Sequence, residues 1–261
     1  MSKSKANFIF KKNSYQLMMK FISQHLLLRY RRTFLGYLWT LINPLLMMAV
    51  LAFVFSTLFN HDIKTFAVFL FAAFIPWNFF SYTITQCAGC LIANENLIKQ
   101  IYIPKYVFPL SVTIALLIDS ILALLALFII IIIVGAPITK ALVYLPISYI
   151  LLFLFSLGIG LACSIITIYF RDIQHLISIL LQGLFFLSPI LYKHGTISGE
   201  YAWIMNLNPI IPYIDIFRKP IYEGIMPSHE TTILALILSV AAFIIGFTIF
   251  ILNHKKIVYR L

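Results

Sequence analysis

Few residues in this chain have the type and spacing to do chemistry. Of 261 residues, eight are acidic and six are histidine. They form no H-E-x-x-H, no G-x-S-x-G and no H-x-x-x-H. A G-x-x-x-x-G-K-[ST] loop is also absent, so the sequence holds no phosphate cradle of the Walker kind. Cys87 and Cys90 make a C-x-x-C, the spacing of a redox pair or of half a zinc site. No second Cys/His pair stands at ligand distance and Cys163 is remote, so small packing residues are expected here. Asp119 is the one acid well inside an apolar run. An ionisable group at that depth is a functional candidate by default. A hydrogen-bonded structural carboxyl facing the bundle interior is the competing reading. One such acid makes no proton relay.

The elements that would position these groups follow from composition. The chain is 62% hydrophobic and 10% charged, against about 25% charged residues in soluble domains. Lipid, rather than water, is the solvent this composition fits. The net charge of +11 does not point to nucleic acid, because the basic residues flank apolar runs instead of forming a polar basic face. A bilayer core of roughly 30 Å takes about 20 residues of helix. Six runs qualify: 37–59, 66–90, 107–134, 143–168, 173–192 and 231–252. The second is interrupted by Pro76, Asn78 and Gln86. No cleavable signal peptide is expected, and the first run reads as a retained span.

Most of the 19 lysines and arginines fall in residues 1–35, the 91–106 loop, the 169–172 turn and the C-terminal tail. Lys64, Lys140, Lys193, Arg218 and Lys219 fall on the other side. The positive-inside rule then puts both termini in the cytoplasm. Residues 14–28 are amphipathic after a candidate N-cap at Ser14. Met18, Phe21, Ile22, His25 and Leu28 share one face, and Gln16, Lys20, Ser23 and Gln24 the other. That pattern suits a helix lying in the membrane interface. Arg29, Arg31 and Arg32 follow it, placed to reach lipid phosphates.

The loop "LIANENLIKQIYIPKYV" is polar at Asn94, Glu95 and Asn96, amphipathic through Leu97, Ile98 and Lys99, and stopped by Pro104. It suits a short helix resting on a partner, or an ordinary connection. In "YFRDIQ", Arg171 and Asp172 make a local ion pair or a second contact. Ser156, Gly160 and Ser164, with Gly158 and Ala162, mark close helix packing. Aromatics lie deep in the spans, among them Trp39, Phe53, Trp77, Phe79, Phe80, Tyr82, Phe185 and Phe186. Their flat faces suit sugar C–H faces, or serve as packing. Residues 193–230 are proline-broken and too interrupted to span, so short re-entrant helices are expected there.

Five runs in this order resemble a known family: "RYRRTFLGYLWTLINPLL", "FIPWNFFSY", "NENLIKQIYIPKYVFPLS", "YFRDIQHLISILLQGLFFLSPILY" and "NPIIPYIDIFRKPIY". Together they are similar to the permease subunit of type-2 ATP-binding-cassette exporters for polysaccharides, the O-antigen, capsule and teichoic-acid group. The resemblance covers most of the chain. Asn43 before Pro44 stands where relatives vary, and no carbohydrate-binding tail is expected after the last span.

The resemblance implies an all-α integral membrane protein, one transmembrane domain over 1–261. It has six transmembrane helices, an N-terminal amphipathic interface helix, a cytoplasmic coupling helix and re-entrant external helices between spans five and six. It implies a homodimer in the bacterial inner membrane with two separate ATPase subunits, which hold Mg-ATP; this chain itself takes no cofactor or metal. The coupling residues are then Asn94 to Lys99 and Pro104, with Arg171 and Asp172 as a second contact. Tyr37, Trp39, Trp77, Phe79, Phe80, Tyr82, Phe185 and Phe186 line the channel. Arg29, Arg31 and Arg32 contact headgroups or the pyrophosphate of a lipid-linked polysaccharide. Two alternatives remain. One is the same class of permease for teichoic acid, capsule, lipid or drug. The other is a membrane glycosyl- or acyltransferase, which needs clustered acids or histidines at the cytoplasmic surface, where Glu95 and Asp172 stand alone.

Overall fold

Local signals set the helix ends. The computed structural model describes residues 3–28, 35–59, 62–101, 103–135, 138–193, 207–254 and 257. Helix α1 is Lys3–Leu28 and α2 is Trp39–Phe59. Asp62 caps α3 (Ile63–Ala93) by accepting from the Thr65 amide at 3.1 Å. A short α4 (Glu95–Gln100) precedes α5 (Val107–Val134), which Gly135 ends in the left-handed conformation, φ 75°. Pro146 opens α6 (Leu145–Tyr169) in its first turn, where a missing amide hydrogen costs nothing. Next come α7 (Ile173–Leu187) and α8 (Ile211–Arg218), the latter continued by a π-helical turn, Lys219–Glu223. Ser228 caps α9 (His229–Asn253) through the Thr231 amide. No strand occurs among the described residues.

Among the described residues four helices are long and apolar enough to cross a membrane: α3, α5, the Lys140–Tyr169 segment containing α6, and α9. The other two expected spans coincide with shorter apolar stretches, Leu45–Leu58 within α2 and Ile173–Leu187. The fifth expected run, 173–192, is a correction: its helix stops at Leu187. Ser188 precedes Pro189 and is extended (φ −90°, ψ 141°), as the proline ring demands of its neighbour. The N-terminal helix is a second correction, because it begins at Lys3 and runs straight through Ser14, which is therefore not at a helix start. The expected amphipathicity does hold: Phe21 and Ile22 are buried, while Gln16, Lys20, Ser23 and Gln24 are exposed. Most of the first half of the 193–230 segment lies outside the described residues.

Helix α3 is central, packing on α2, α5, α6, α7 and α8. Its Leu70, Ala72, Ala73, Cys87 and Leu91 have no exposed surface. Cys87 makes sulfur contacts of 3.6 Å with the Pro109 carbonyl and the Thr113 hydroxyl, as a small packing residue does. The α6–α9 pair is the tightest seam. A Cβ on Gly246 would overlap the Gly158 carbonyl, and one on Gly158 would meet the Ala242 carbonyl oxygen at 2.5 Å. Only glycine permits that approach.

Hydroxyls fasten α8 across the same seam. The Tyr213 hydroxyl lies 2.9 Å from the Ala235 carbonyl and 2.7 Å from Ser239, and Ser239 donates to the Leu151 carbonyl at 2.8 Å. Ser148 donates to the Ile216 carbonyl at 3.0 Å. Arg218 is 4% exposed, lies 4.0 Å over the Phe69 ring and donates to the Ile190 carbonyl. Helix α8 thus sits at the end of the bundle opposite α4.

Gly246→Leu should therefore split α6 from α9, with a loss of about 1–3 kcal/mol or more from overpacking. Gly183→Ala, whose added Cβ meets nothing within 4 Å, should keep stability or raise it by up to about 1 kcal/mol, because alanine is favoured over glycine in a helix interior. Thermal melting of the two variants in detergent checks the contrast.

Candidate functional site

Two surfaces stand out, one at the α4 end and one along α3. At the first, Glu95 accepts from Lys99 at 2.6 Å across one helical turn, which steadies a helix too short to persist alone. Ile98 is buried and Leu97 half-buried, anchoring α4, while Asn96 and Lys99 face out. The Asn94 amide donates back to the Cys90 carbonyl at 2.8 Å, so the end of α3 sets where α4 starts. The helix ends at Gln100, four residues before Pro104, because Ile101 is already extended (φ −135°, ψ 148°). Pro104 itself is half-buried.

Arg171 and Asp172 are both exposed. The hydrogen bond from Lys99 holds the Glu95 carboxyl below the ordinary carboxylate range, and the charge of Arg171 adds to it. The Gln174 amide lies where a Cβ on Gly89 would stand, 2.7 Å away. The structure thus brings the two expected contact turns to one face. It also ties both to the C-terminal end of α9. Lys105 donates to the His254 carbonyl, and the Tyr169 hydroxyl donates to Asn253 Oδ1 at 3.1 Å. Arg29, Arg31 and Arg32 lie outside the described residues, as does the side chain of Tyr37.

The second surface is a stripe on α3. From Val68 to Leu91 every residue is buried except Asn78, Ser81, Tyr82, Thr85, Gln86 and Gly89. These recur at helical spacing, so they form one accessible face, and five of the six side chains are polar. The stripe borders two cavities. One, of about 290 Å³, is lined by Trp39 and Asn43 of α2, Asn78, Phe79 and Tyr82 of α3, and Asp119 and Ser120 of α5. The other, of about 420 Å³, is lined by Phe21, Gln24 and His25 of α1, with Gln86, Asn94 and Asp119. Asp119 borders both. Among the described residues no lysine or arginine lines either.

The sequence-selected aromatics divide between two settings. Trp39, Phe79 and Tyr82 surround the first cavity. Trp77, Phe80 and Phe185 instead form a packed ring series: Phe185 is 5.6 Å from Trp77, Trp77 is 5.9 Å from Phe80, and Phe80 stacks on Phe155 at 5.5 Å. Phe186 adjoins that series and is 68% exposed. Sequence reasoning missed Ser81 and Thr85, and treated Asn78 and Gln86 as blemishes in a span. Their four-residue spacing was the available signal. Among the described residues, no cluster of His, Cys, Asp and Glu could hold a metal ion.

Comparison with known proteins adds the following. A profile of the ABC-2 type transporter family matches residues 16–222. The chain is 31% identical over 216 residues to the O-antigen export system permease protein RfbA of Myxococcus xanthus, covering 82% of this chain and 83% of that protein. A Klebsiella pneumoniae protein of the same name is 26% identical over 94% of this chain and 93% of its own. The polysialic acid transport protein KpsM of Escherichia coli is 26% identical over 75% and 77%.

The α4 end yields two predictions. Lys105→Met with Tyr169→Phe should broaden the distance distribution between spin labels at Asn96 and Leu252, because both tethers to α9 are cut. The Glu95–Lys99 pair has a depressed carboxyl, so its contribution is complete above the ordinary range near about 4.3 and fades as pH falls through the lowered value. The α4 geometry should hold across pH 5–8 and loosen only in stronger acid. Glu95→Gln should abolish that acid response, read by the same labels.

Proposed function

We propose that this chain, which belongs to the ABC-2 type transporter family, forms the conduit of an ATP-driven exporter carrying a lipid-linked polysaccharide of the O-antigen kind across the bacterial inner membrane. The polar stripe of α3 carries this reading. A helix face turned to lipid is apolar, as α9 illustrates with Ile233, Ile237, Ile244 and Ile251 exposed. The accessible face of α3 is amide, hydroxyl and glycine, so it borders water or a polar cargo. Its neighbours Trp39 and Tyr82 supply flat rings for sugar C–H faces.

One chain offers one such face, and a closed path needs a second. Two copies complete it, with α2 and α7 supplying the exposed apolar surfaces Leu46, Val50 and Phe53, and Ile179, Leu180 and Phe186. Six spans with both termini cytoplasmic fit the charge distribution. Helix α2, 21 residues long, reaches about 31 Å at 1.5 Å per residue. Arg29, Arg31 and Arg32 meet headgroups, or the pyrophosphate of the lipid carrier. The remaining chemistry is fuel. With no phosphate loop in this chain, a separate pair of ATPase subunits binds Mg-ATP and pushes on α4 and on the Arg171–Asp172 turn. The Lys105 and Tyr169 tethers pass that push to α9, and the Asn94 bond passes it to α3. The names of the relatives support the glycan cargo.

Co-expression with the cognate ATPase tests this. Glu95→Lys with Arg171→Glu should lower ATPase co-purification and glycan export by about tenfold or more, the effect of about 1.4 kcal/mol lost at an interface, at unchanged membrane abundance. Unchanged export would overturn the coupling role. In proteoliposomes without the ATPase, the chain should move no glycan; vigorous transport there would overturn the whole reading.

A further inference from the structure

At the end of the bundle opposite α4, three residues that are at most 6% exposed meet: Ser188, Ile190 and Asn208. The Asn208 amide donates to Ser188 Oγ at 2.9 Å, while Asn208 Oδ1 accepts from the Ile210 amide at 3.2 Å. Arg218 of α8 donates to the Ile190 carbonyl at 3.2 Å. Two side chains thus clasp the strap that follows α7 and fill the space between it and α8. Asp215 and Glu223 lie close enough to Arg218 to offset part of its charge. Its Nε nevertheless has no hydrogen-bond partner among the described residues, and a buried donor left unmade costs stability. The clasp is closed without being fully satisfied, which suits a contact that is released and remade.

The two sides of the clasp are anchored unequally. Hydroxyls of Tyr213 and Ser148 fasten α8 to α9 and α6. Tyr213 also stacks on Phe155 at 4.6 Å, and Phe217 meets Tyr149 at 4.8 Å. Along α7 only Ile177 and Leu181 are buried. This helix leans on α3 at its two ends. The Gln174 amide stands 2.7 Å from where a Cβ on Gly89 would be, so glycine admits the contact. Near the other end Phe185 meets Trp77 edge-on at 5.6 Å, a ring contact that can slide. From Gln174 to Ser188 is about 14 residues, roughly 21 Å. A tilt of about 10° around Gln174 carries Ser188 about 4 Å. That breaks the clasp, because a hydrogen bond is already lost at about 3.6 Å. The Arg171–Asp172 turn lies just before the pivot, so a small shift there is multiplied several-fold at the strap.

We propose that Asn208 and Arg218 are positioning residues that latch the end of α7 nearest α8, and that α7 is a lever, pivoted on Gly89, through which the Arg171–Asp172 turn frees that latch. The lever rests on the permease reading and adds how the outlet of the conduit is regulated. Helix α8 stays with α6 and α9, and the strap leaves it. Hinges of this kind need only a few residues at element ends to absorb the change, and here Ser188 is already extended beside Pro189. A latch that holds without fuel keeps small solutes from leaking through a path wide enough for a sugar chain.

The full chain is produced with its cognate ATPase and carries Ser188→Cys together with Asn208→Cys. Once mass spectrometry shows the disulfide formed, surface glycan should fall about tenfold or more while ATPase co-purification is kept, and reductant should restore export. Oxidant should not change export by the wild-type chain, whose described cysteines are buried or half-buried. Asn208→Ala removes one bond of the latch. Proteoliposomes bearing it should take up mannitol without ATP about fivefold faster than wild type, the shift expected for one hydrogen bond. Spin labels read the moving part, in nanodiscs where labelled chain is diluted with unlabelled chain. On adding ATP, the distance between labels at Leu187 and Met226 should change by about 3 Å, while that between Met226 and Ile237 should hold. Full export by the oxidised pair, mannitol entry no faster in Asn208→Ala, or movement confined to the Met226–Ile237 pair overturns the lever. The permease reading fails separately, if the wild-type chain with its ATPase exports no glycan.

Discussion

The structure depends on the cost of leaving a polar group facing hydrocarbon. At membrane depth no water repairs an unmade hydrogen bond, so each buried polar atom must be closed within the protein or turned toward something polar. Most are closed here. Ser111, Ser164 and Thr167 bond the carbonyl three or four residues before them. Tyr213 and Ser239 close on each other and on two helices. Against that rule the open amides of Asn78 and Gln86 acquire meaning, because they sit on a helix whose remaining surface is otherwise consumed by packing.

The same constraint gives the bundle two mechanical parts. Around the Gly158–Gly246 seam, α6, α8 and α9 are locked by backbone approach and by hydroxyls donating to carbonyls. Around α3, contacts to α2, α5 and α7 run through aromatic and aliphatic side chains, with cavities between them. A block fixed by backbone contact moves as a unit, whereas elements separated by cavities can shift against one another at small cost. Lys105, between α4 and α5, joins the rigid block to the face that bears α4 by donating to the His254 carbonyl at the end of α9, whereas the Tyr169–Asn253 bond lies within the block, between α6 and α9.

How much of this was legible in the sequence differs by element. Apolar run length located α5 and α9 almost to the residue, since Gly135 and Ser228 act locally. Helix α7 was drawn too long because hydrophobicity continues past Leu187 while Pro189 fixes the backbone of Ser188. Ser14 looked like a cap because its type is right, but a helix already under way absorbs it. The nearness of Arg171 to Glu95, about 75 positions apart, depends on how α3 and α7 pack, and no local pattern encodes it. Arg218 was taken for a loop charge; its burial over Phe69 follows from α8 folding back onto α3. Asn78 and Gln86 were visible but weighed singly, and only the burial of everything around them makes a face of the two.

Helix α7 has a consequence for the surrounding lipid. Its 15 residues span about 22 Å at 1.5 Å per residue, some 8 Å short of a typical hydrocarbon core of roughly 30 Å. Where the flank of α7 that a second copy leaves uncovered meets lipid, the bilayer relaxes by thinning, at a modest elastic cost for each ångström. Headgroups would then dip beside α7, and the hydrocarbon barrier is narrowest at that dimple.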